Sequence, residues 1–175
     1  IDVAVRGYGS ALRAGVHESR GDIVVMADAD MRYDLGDVPR FVRAVREGHD
    51  LVMGDRFAGG IDRGAMPLMN RLVGNPVLSW LGRWLTKTEV RDFHCGMRAF
   101  RRAAVLGLGL RTSGMEFASE MVARAAVQGL RIGQIATPLR VDGRGRGSHL
   151  RPISDGSRHV AILLLLARRR PSARP

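Results

Sequence analysis

Two apolar runs that flank an amphipathic segment constrain the fold of this 175-residue chain most strongly. The run DIVVMA at 22–27 is continuous and rich in β-branched residues, which is typical of a parallel strand buried on both faces. The segment 37–48 places four apolar residues at i, i+3, i+4 and i+7, which predicts an amphipathic helix. DLVMG at 50–54 predicts the next strand.

The residues before this unit continue the same alternation. IDVAV at 1–5 predicts a strand, and a helix is expected from about Ser10, with Ser10 as its N-cap and Gly21 at its end. Strand, helix, strand, helix, strand indicates an α/β fold with a mostly parallel sheet flanked by helices. The length is that of one domain with a substantial core.

Three aspartates follow the second predicted strand, in VVMADADMRYD at 24–34. Asp28, Asp30 and Asp34 would repel one another unless a cation or several N–H donors offset their charge. Ligands of open α/β sheets bind beyond the carboxyl ends of the strands, and hard oxygen ligands suit Mg²⁺ or Mn²⁺. The pattern favours a divalent-metal site, and a loop of turn and capping aspartates is the alternative.

The chain is strongly basic, with a formal net charge of +11 and a pI of about 11.5. Nucleic acid, an acidic membrane surface or a phosphorylated substrate would suit this charge. Lys87 is the only lysine, so the excess is almost all arginine. A GC-rich coding sequence is the alternative explanation. The single cysteine, Cys95, excludes a disulfide within the chain and a cysteine-based zinc site.

Residues 68–85 carry a broad apolar stripe at helical spacing. A break into two helices is predicted between Gly74 and Pro76. The stripe fits a helix packed on the sheet, or two helices in a membrane interface with Trp80 and Trp84 at headgroup level. Its members are Met69, Leu72, Val73, Val77, Trp80, Leu81, Trp84 and Leu85.

The second half of the chain predicts shorter elements and a basic end. The expected elements are a strand at MRAFR, a helix over 116–128, strands at LRIGQI and TPLRV, a glycine-rich basic loop at 142–152 and a last helix from about Ser154. The run VAILLLLA at 160–167 is too short to span a bilayer. Followed by RRRPSARP, it fits either a membrane-surface segment or a core helix with a frayed tail.

Several motifs occur in an order that resembles a known family. RGYGSALRAG, GDIVVMADADMRYD, GDRF, DFHCGMRAFRR, GMEFASEM and DGRGRGSHLRP follow one another from Arg6 to about Leu163. The chain resembles family-2 glycosyltransferases of the GT-A fold, and among them is similar to polyprenyl-phosphate (dolichol-phosphate-type) mannosyl- and glucosyltransferases. The resemblance implies a partial catalytic domain at 1–157 and a C-terminal apolar helix with a basic tail at 158–175.

This resemblance implies metal-dependent, inverting transfer of a hexose from a nucleotide-diphosphate sugar to a polyprenyl phosphate. Asp30 would be the main ligand of Mg²⁺ or Mn²⁺, and Asp28 would face the sugar or ribose. Arg32 stands where many members have Gln, so the third metal ligand stays open; Tyr33 and Asp34 match a subgroup reading DADGTYD. The implied donor-binding residues are Arg6, Gly7, Gly9, Asp28 and Asp30.

On the acceptor side, Asp92 corresponds to a candidate catalytic base. A phosphate acceptor is already anionic, so a positioning or electrostatic role is open, as is that of a turn residue. Glu116 and Glu120 lie one helical turn apart and could face the acceptor or solvent. His94 and Cys95 do not form a metal pair, and Cys95 is expected to be buried. The implied acceptor- or phosphate-binding residues are Arg56, Arg98, Glu116, Arg144, Arg146, Ser148 and His149.

The family pattern also sets the expected partners. They are the nucleotide sugar, a polyprenyl-phosphate lipid and the cytoplasmic face of a membrane, with association into a homo-oligomer left open. Strands that precede this chain in the family hold the nucleotide base, so the chain alone is expected to be poorly active or inactive. The alternatives are a family-2 enzyme with a glycan or small-molecule acceptor, and a basic nucleic-acid- or membrane-binding module. No zinc-finger, helix-turn-helix or stacking pattern supports nucleic acid as a partner.

Overall fold

A computed structural model describes residues 5–142 and 152–168. Nearly all of the strand predicted at 1–5, most of the basic loop at 142–152 and most of the tail after 167 lie outside these residues. The elements, in chain order, are α1 (Tyr8–Glu18), β1 (Ile23–Met26), a 3₁₀ turn (Leu35–Asp37), α2 (Val38–Arg46), β2 (Leu51–Asp55), α3 (Arg56–Gly59), a π-helical turn (Asn70–Gly74), α4 (Asn75–Thr86), β3 (Arg98–Arg101), α5 (Arg102–Gly107), α6 (Phe117–Val127), β4 (Ile132–Ala136) and α7 (Pro152–Ala167).

The four described strands form one sheet in the order β1-β3-β2-β4. β2 and β4 are parallel, and β3 is antiparallel to both β1 and β2. β1, β2 and β4 therefore run in one direction and β3 runs against them. The mixed α/β sheet flanked by helices confirms the predicted class. The predicted strand TPLRV is reduced to an isolated bridge between Ile61 and Leu139.

Apolar clusters cover both faces of the sheet. One gathers β-strand residues such as Leu51 and Phe100 with α6 and α7. The other packs α2, through Phe41 and Val45, against Val52 and its neighbours. Both α2 residues are fully buried, as the helical spacing predicts. The alternation of strands and amphipathic helices therefore produces the layered packing that was expected.

The start of α1 differs from the prediction. Gly7, not Ser10, is the N-cap, and Ser10 is buried within the first turn. Gly7 has φ of 155°, and a Cβ there would collide with the carbonyl of Ser113. The Ser113 carbonyl accepts the Gly9 and Ser10 N–H groups at 2.8 and 3.2 Å. A backbone carbonyl that is distant in sequence thus accepts the N–H groups that an N-cap side chain usually satisfies. The local sequence does not reveal this contact.

The helical segment from 68 to 86 is continuous, so the predicted break is wrong. The π-helical turn Asn70–Gly74 precedes Pro76, and this wider turn accommodates the missing N–H of proline. α4 buries small residues: Ser79 is fully buried, and a Cβ at Gly82 would meet the ring of Phe93. Leu81 and Leu85 also pack against the core, whereas Trp80 and Trp84 point away from it and are 57% and 68% exposed.

α7 packs against α4 and α6 in the main core. Leu163 and Leu166 are buried there, whereas Leu164 and Leu165 are about half exposed. The predicted division after residue 157 falls inside this helix, so its described part shares the core of the preceding residues. Among the described residues, no helix has the length and apolarity needed to cross a bilayer.

Candidate active site

The candidate site lies at one edge of the sheet. Met26 in β1 and Met53 in β2 both pair with Arg98, the first residue of the antiparallel β3. The carboxyl ends of β1 and β2 therefore meet the amino end of β3. This topology brings the aspartate turn after β1, the turn after β2 and the 92–96 turn before β3 to the same edge, where α/β sheets bind ligands.

Asp28 joins the aspartate turn to the 92–96 turn. Tyr8 donates its hydroxyl to Asp28 Oδ1 at 3.0 Å. Gly96 lies so close to the Asp28 carboxylate that a Cβ there would overlap it. The hydroxyl of Tyr33 accepts the Gly96 N–H at 3.0 Å. The two motifs, almost 70 positions apart in sequence, are thus in direct contact, and Gly96 is required by this close approach.

Asp30 contacts the side chain of Arg32. The Arg32 N–H donates to Asp30 Oδ1 at 3.3 Å, and Arg32 Nε lies 3.1 Å from Asp30 Oδ2. Met31 between them has φ of 61°, a left-handed conformation that is uncommon for residues with a Cβ. This turn folds Arg32 back onto the carboxylate two residues before it.

The two aspartates suit a divalent cation that is shared with a diphosphate. Mg²⁺ and Mn²⁺ favour carboxylate oxygens and usually complete their coordination with phosphate and water. Among the described residues, no cluster of three or more His, Cys, Asp or Glu side chains forms an all-protein cage. Asp28 and Asp30 are the carboxylates of this turn that would hold such a cation.

A buried ion pair joins Arg56 to Asp92. Arg56 Nε and Nη2 donate to the two carboxylate oxygens at 2.6 and 2.7 Å, and the Arg56 N–H adds a third bond at 3.2 Å. Asp92 is fully buried and Arg56 is 8% exposed. The His94 N–H also donates to Asp92, at 3.2 Å. Both carboxylate oxygens are therefore engaged within the protein.

This pairing makes Asp92 a weak base. Burial alone would raise the pKa of Asp92, but the charge of Arg56 and its hydrogen bonds outweigh burial and hold that pKa below its usual range. Burial alone would lower the pKa of Arg56, but the charge of Asp92 and its hydrogen bonds outweigh burial and raise the pKa of the guanidinium. Of the roles left open for Asp92, the geometry favours holding Arg56 in place over accepting a proton.

Arg98 lies inside the protein and not on a phosphate-binding surface, which corrects its predicted role. Its side chain is fully buried. Its nitrogens donate to the carbonyls of Cys95, Phe93 and Ala118 at 2.9, 3.0 and 3.2 Å, and one contacts the sulfur of Met121 at 3.3 Å. Arg98 therefore organises the 92–96 turn from beneath and ties it to α6.

The two glutamates of the predicted helix do different things. Glu120 is fully buried and accepts the N–H groups of Arg111 and Thr112, the Thr112 hydroxyl and Nε of Arg124. Burial alone would raise the pKa of Glu120, but these hydrogen bonds lower it. Glu120 thus supports the 111–112 loop. Glu116 accepts the Gly114 N–H at 3.3 Å, while its buried Oε2 has no hydrogen-bond partner among the described residues.

The remaining predicted residues are divided between packing and solvent. Gly9 is packed so closely that a Cβ would meet the Thr112 carbonyl at 2.6 Å, whereas Arg6 is exposed. Cys95 is fully buried, and burial raises the pKa of its thiol to about 11, which agrees with the expected packing role. The loop residues Arg144, Arg146, Ser148 and His149 lie outside the described part of the chain.

A hydrogen-bonded row of three side chains, His94, Ser119 and His159, was not predicted. His94 Nε2 lies 3.1 Å from Ser119 Oγ, which lies 2.8 Å from His159 Nδ1. The two imidazole rings are 4.7 Å apart and nearly perpendicular. This contact links the 92–96 turn through α6 to α7. Ser119 and His159 are 40 positions apart, and no sequence motif indicates that they are in contact.

Both histidines favour the neutral state. Burial is the main cause that lowers the pKa of each histidine. His159 lowers the pKa of His94 further, whereas Asp92 raises it. Glu116 raises the pKa of His159 and so partly offsets burial there. Asp155 also raises the His159 pKa, and Arg98 lowers the pKa of both histidines; Arg56 further lowers that of His94.

The free energy of unfolding is expected to fall as the pH drops below about 6.5, because the unfolded chain then binds protons that the native histidines do not. Each histidine adds a slope of up to about 1.4 kcal/mol per pH unit until it titrates in the folded state. Urea unfolding of the H94Q/H159Q variant between pH 7.5 and 5 should show a flatter dependence. His17→Gln, at an exposed histidine, is the matched control; equal slopes in all three proteins would contradict the prediction.

Comparison with known families agrees with this geometry. The model of the family described as "Glycosyl transferase family 2" matches residues 4–108. The chain belongs to this family. The match includes the aspartate turn, Arg56 and the 92–96 turn, so the residues that meet at the sheet edge all fall within the family's own region.

Curated relatives carry related names. A low-salt glycan biosynthesis hexosyltransferase of Haloferax volcanii is 37% identical over 163 residues, which are 93% of this chain and 39% of the relative. A dolichyl-phosphate hexose transferase of the same organism is 31% identical over 157 residues, 90% of this chain and 66% of the relative. The chain therefore spans between about two fifths and two thirds of the length of these proteins.

Solved structures share the fold. Glucosyl-3-phosphoglycerate synthase of Mycobacterium tuberculosis, in a complex with Mn²⁺, UDP-glucose and phosphoglyceric acid, superposes with a TM-score of 0.68 at 25% identity. The match covers 99% of this chain and 58% of the synthase. A divalent cation and a nucleotide sugar are thus bound together in a protein of the same architecture.

Proposed function

We propose that this chain is part of the catalytic unit of a hexosyltransferase that uses a nucleotide-diphosphate sugar, of UDP-glucose or GDP-mannose type, and polyprenyl phosphate. The observation that carries this proposal is the contact between the aspartate turn and the 92–96 turn, where Gly96 lies against Asp28. This contact brings the Asp28 carboxylate, one of the two proposed cation ligands, beside the turn whose Asp92 pairs with the buried Arg56.

The donor would be bound at Asp28 and Asp30. When bound, Mg²⁺ or Mn²⁺ would act as a Lewis acid that neutralises the leaving diphosphate. Tyr8 fixes the orientation of the Asp28 carboxylate through its hydrogen bond. Because Asp28 is restrained in this way, it can serve the donor without being reorganised each time. Arg6, Gly7 and Gly9 complete the proposed donor side, with the two glycines acting by packing the start of α1.

The acceptor would be a polyprenyl phosphate whose oxygen attacks the anomeric carbon while the bond from that carbon to the diphosphate breaks. This single displacement inverts the anomeric centre. The acceptor is already anionic, so it needs no strong base, which agrees with a low pKa for Asp92. Arg56 and Glu116 are proposed to position the acceptor. Arg144, Arg146, Ser148 and His149 join them as proposed phosphate ligands.

Polyprenyl phosphate is favoured by the names of two relatives. One is the dolichyl-phosphate hexose transferase of Haloferax volcanii. Another is a dolichol-phosphate mannosyltransferase of Pyrococcus furiosus, 27% identical over 120 residues, 67% of this chain and 34% of the relative.

Transfer of radiolabelled hexose tests this proposal directly. The chain should move label from UDP-glucose or GDP-mannose to a short polyprenyl phosphate in the presence of Mn²⁺, at the low rate expected of part of a catalytic unit, and lose this transfer in EDTA. A small phosphorylated acceptor is the second candidate, because the structural relative described above binds phosphoglyceric acid. Label in phosphoglyceric acid but not in lipid would contradict the lipid proposal.

We also propose that the exposed face of the helical segment 68–86 rests on the cytoplasmic surface of a membrane. The face consists of exposed apolar side chains and is named here the tryptophan face: Met69, Leu72, Val73, Val77, Trp80 and Trp84. The two tryptophan rings stack with centroids 6.4 Å apart. Arg71 and Lys87 on the same segment are exposed. Apolar and indole groups bordered by cations suit anionic phospholipid.

Vesicle binding tests the tryptophan face. The chain should bind vesicles of anionic phospholipid with a blue shift in fluorescence, since both of its tryptophans lie in this face. W80S/W84S has no tryptophan, so its binding is measured by co-sedimentation with the vesicles. It should bind at least about tenfold more weakly than the unaltered chain, because each large apolar side chain contributes roughly 1.5–3 kcal/mol when buried. The matched control is Leu35→Ser, which removes an equally exposed leucine elsewhere.

A second copy of the chain is the other occupant to be tested. Sedimentation of the unaltered protein without vesicles would detect it, and a dimer that W80S/W84S dissociates would assign the tryptophan face to self-association. Vesicle binding that is unchanged in W80S/W84S would contradict the membrane proposal.

A further inference from the structure

Arg32 forms an ion pair with Asp30, one of the two proposed ligands of the divalent cation. Its Nε lies 3.1 Å from Asp30 Oδ2, and its Nη2 lies 3.2 Å from Asp142 Oδ2. The side chains of Arg32, Asp30 and Asp142 are 22%, 14% and 11% exposed. A guanidinium thus sits between two largely buried carboxylates, one of which is the expected main metal ligand.

The position of this guanidinium is fixed from several sides. Arg32 Nη1 donates to the Ala65 carbonyl at 3.2 Å, and the Arg32 carbonyl accepts the Arg140 N–H at 2.9 Å. The left-handed backbone of Met31 turns Arg32 toward Asp30. Such a conformation is unfavourable for a residue with a Cβ and persists where the surrounding contacts hold it. The Arg32–Asp30 contact is therefore built into the fold.

The contact with Asp30 is an ion pair and not a well-directed hydrogen bond. Arg32 Nε is buried and has no hydrogen-bond partner of good geometry, although it is close to Asp30 Oδ2. The Nη atoms, in contrast, make directed bonds to Ala65 and Asp142. Arg32 is thus anchored by its outer nitrogens, while the nitrogen nearest Asp30 keeps an unused donor. A cation could take Asp30 without releasing the anchored end of Arg32.

We propose that Arg32 is the internal counter-ion of Asp30 and competes with a divalent cation for this carboxylate. This inference rests on the proposed function, since it assigns a role at the same donor site. The competition follows from charge: a cation that binds Asp30 must approach a guanidinium about 3 Å away, and two cations repel strongly in a partly buried site. The chemical class recognised is a divalent-cation complex of a nucleoside diphosphate.

Binding of Mn²⁺ alone tests this competition. Arg32→Gln keeps much of the side-chain length and removes the charge, so Mn²⁺ should bind at least about tenfold more tightly than to the unaltered chain, measured by the loss of the free Mn²⁺ spectrum in electron paramagnetic resonance. Arg32→Lys keeps the charge and should stay closer to the unaltered chain. In R32Q/D30N the gain should disappear.

Arg140→Gln is the matched control. Arg140 pairs with Asp34 at 3.0 Å in the same region but does not contact Asp30. Its loss should leave Mn²⁺ binding within about twofold of the unaltered chain, since exposed ion pairs contribute little. Thermal melting of each variant establishes that it is folded. Arg32→Met, which removes the charge without adding an amide oxygen that could coordinate Mn²⁺, should show the same gain, and it replaces Arg32→Gln in the test if that variant does not melt cooperatively.

The outcomes separate this inference from the proposed function. Tighter Mn²⁺ binding in both Arg32→Gln and Arg32→Met supports the counter-ion role even if neither UDP nor GDP binds, an outcome that would count against the transferase proposal alone. A gain in Arg32→Gln without one in Arg32→Met would overturn the role, because the amide oxygen would then be acting as a metal ligand. Equal or weaker Mn²⁺ binding in folded Arg32→Gln overturns the counter-ion role, even where Mn²⁺-dependent nucleotide binding persists. A gain of the same size in Arg140→Gln would also overturn it, because the effect would then reflect net charge and not contact with Asp30.

Discussion

Replacing Asp92 by alanine is expected to lower the free energy of unfolding by about 3–5 kcal/mol, because the substitution leaves a charged guanidinium buried without a partner. Arg56 is 8% exposed, and its two side-chain bonds to Asp92 are 2.6 and 2.7 Å long. Its Nε and Nη2 would have to find water or remain unpaired. Urea unfolding of Asp92→Ala and the unaltered chain at pH 7.5 measures the difference.

A surface ion pair provides the matched control for this prediction. Arg40 in α2 lies 2.7 Å from Asp37 at the end of the preceding 3₁₀ turn, and the Arg40 side chain is 53% exposed. Arg40→Ala should change the unfolding free energy by no more than about 1 kcal/mol. If Asp92→Ala is as mild as Arg40→Ala, the Arg56–Asp92 pair does not have the energetic importance that its burial indicates.

A double substitution separates stability from function at this pair. R56M/D92L replaces both charges with apolar side chains, which often restores or exceeds the stability of a buried ion pair. The double variant should therefore unfold at a higher urea concentration than Asp92→Ala. It should still fail to transfer hexose, because no guanidinium remains for the acceptor. Transfer at the unaltered rate would remove Arg56 from the proposed acceptor site.

Replacing both Asp28 and Asp30 by asparagine is expected to weaken Mn²⁺-dependent binding of UDP or GDP by at least about a hundredfold. Neutral amides are poor substitutes for the carboxylates that hard divalent cations favour, and a hundredfold loss corresponds to about 2.8 kcal/mol. The matched control is Asp37→Asn, which alters an aspartate of the neighbouring turn that pairs with Arg40. Calorimetry measures all three proteins.

Two results would separate the possible causes of a loss. D28N/D30N should melt close to the unaltered temperature, since Asp30 is on a turn and Asp28 can still accept the Tyr8 hydroxyl through its amide oxygen. Retention of Mn²⁺-dependent binding in the folded double variant would contradict the proposed cation site. A similar loss in Asp37→Asn would show that charge near the site, not coordination, controls binding.

Local patterns predicted the elements that depend on periodicity. The positions of β1 and β2 and the spacing of α2 were predicted correctly, because each is a short-range consequence of which side chains must be buried. The expected parallel pairing and full burial of β1 were wrong for the described residues, where β1 pairs only with the antiparallel β3 and only Met26 is buried. The end of β1 still led to the ligand-binding edge, since β1 runs in the same direction as β2 and β4. In these segments, residues that are close in sequence determine the secondary structure.

Residues that pair over long distances were not predictable in the same way. Arg56 and Asp92 are 36 positions apart, and nothing in either motif states that the two side chains form a buried ion pair. Arg98 was predicted to be a phosphate ligand, but its nitrogens donate to backbone carbonyls of the 92–96 turn and of α6 inside the protein. Such contacts appear only when separate elements are packed together.

The tryptophan face shows a different limit. Helical spacing identified the apolar stripe, but periodicity does not say whether a stripe faces the core. Small residues decided the orientation: Gly82 admits the ring of Phe93, and the Ser79 hydroxyl accepts the Phe93 N–H at 3.2 Å. The helix therefore packs by its small side and leaves its large apolar side exposed.

Titration of the unaltered chain with UDP and with GDP, in Mn²⁺ and then in EDTA, tests the central claim most directly. The account predicts that at least one nucleotide binds in Mn²⁺ with one site per chain, and that EDTA abolishes this binding, because the diphosphate reaches Asp28 and Asp30 only through a shared cation. Calorimetry reports affinity and stoichiometry together. Binding of equal strength in EDTA, or no binding of either nucleotide to a chain that melts cooperatively, would contradict the account.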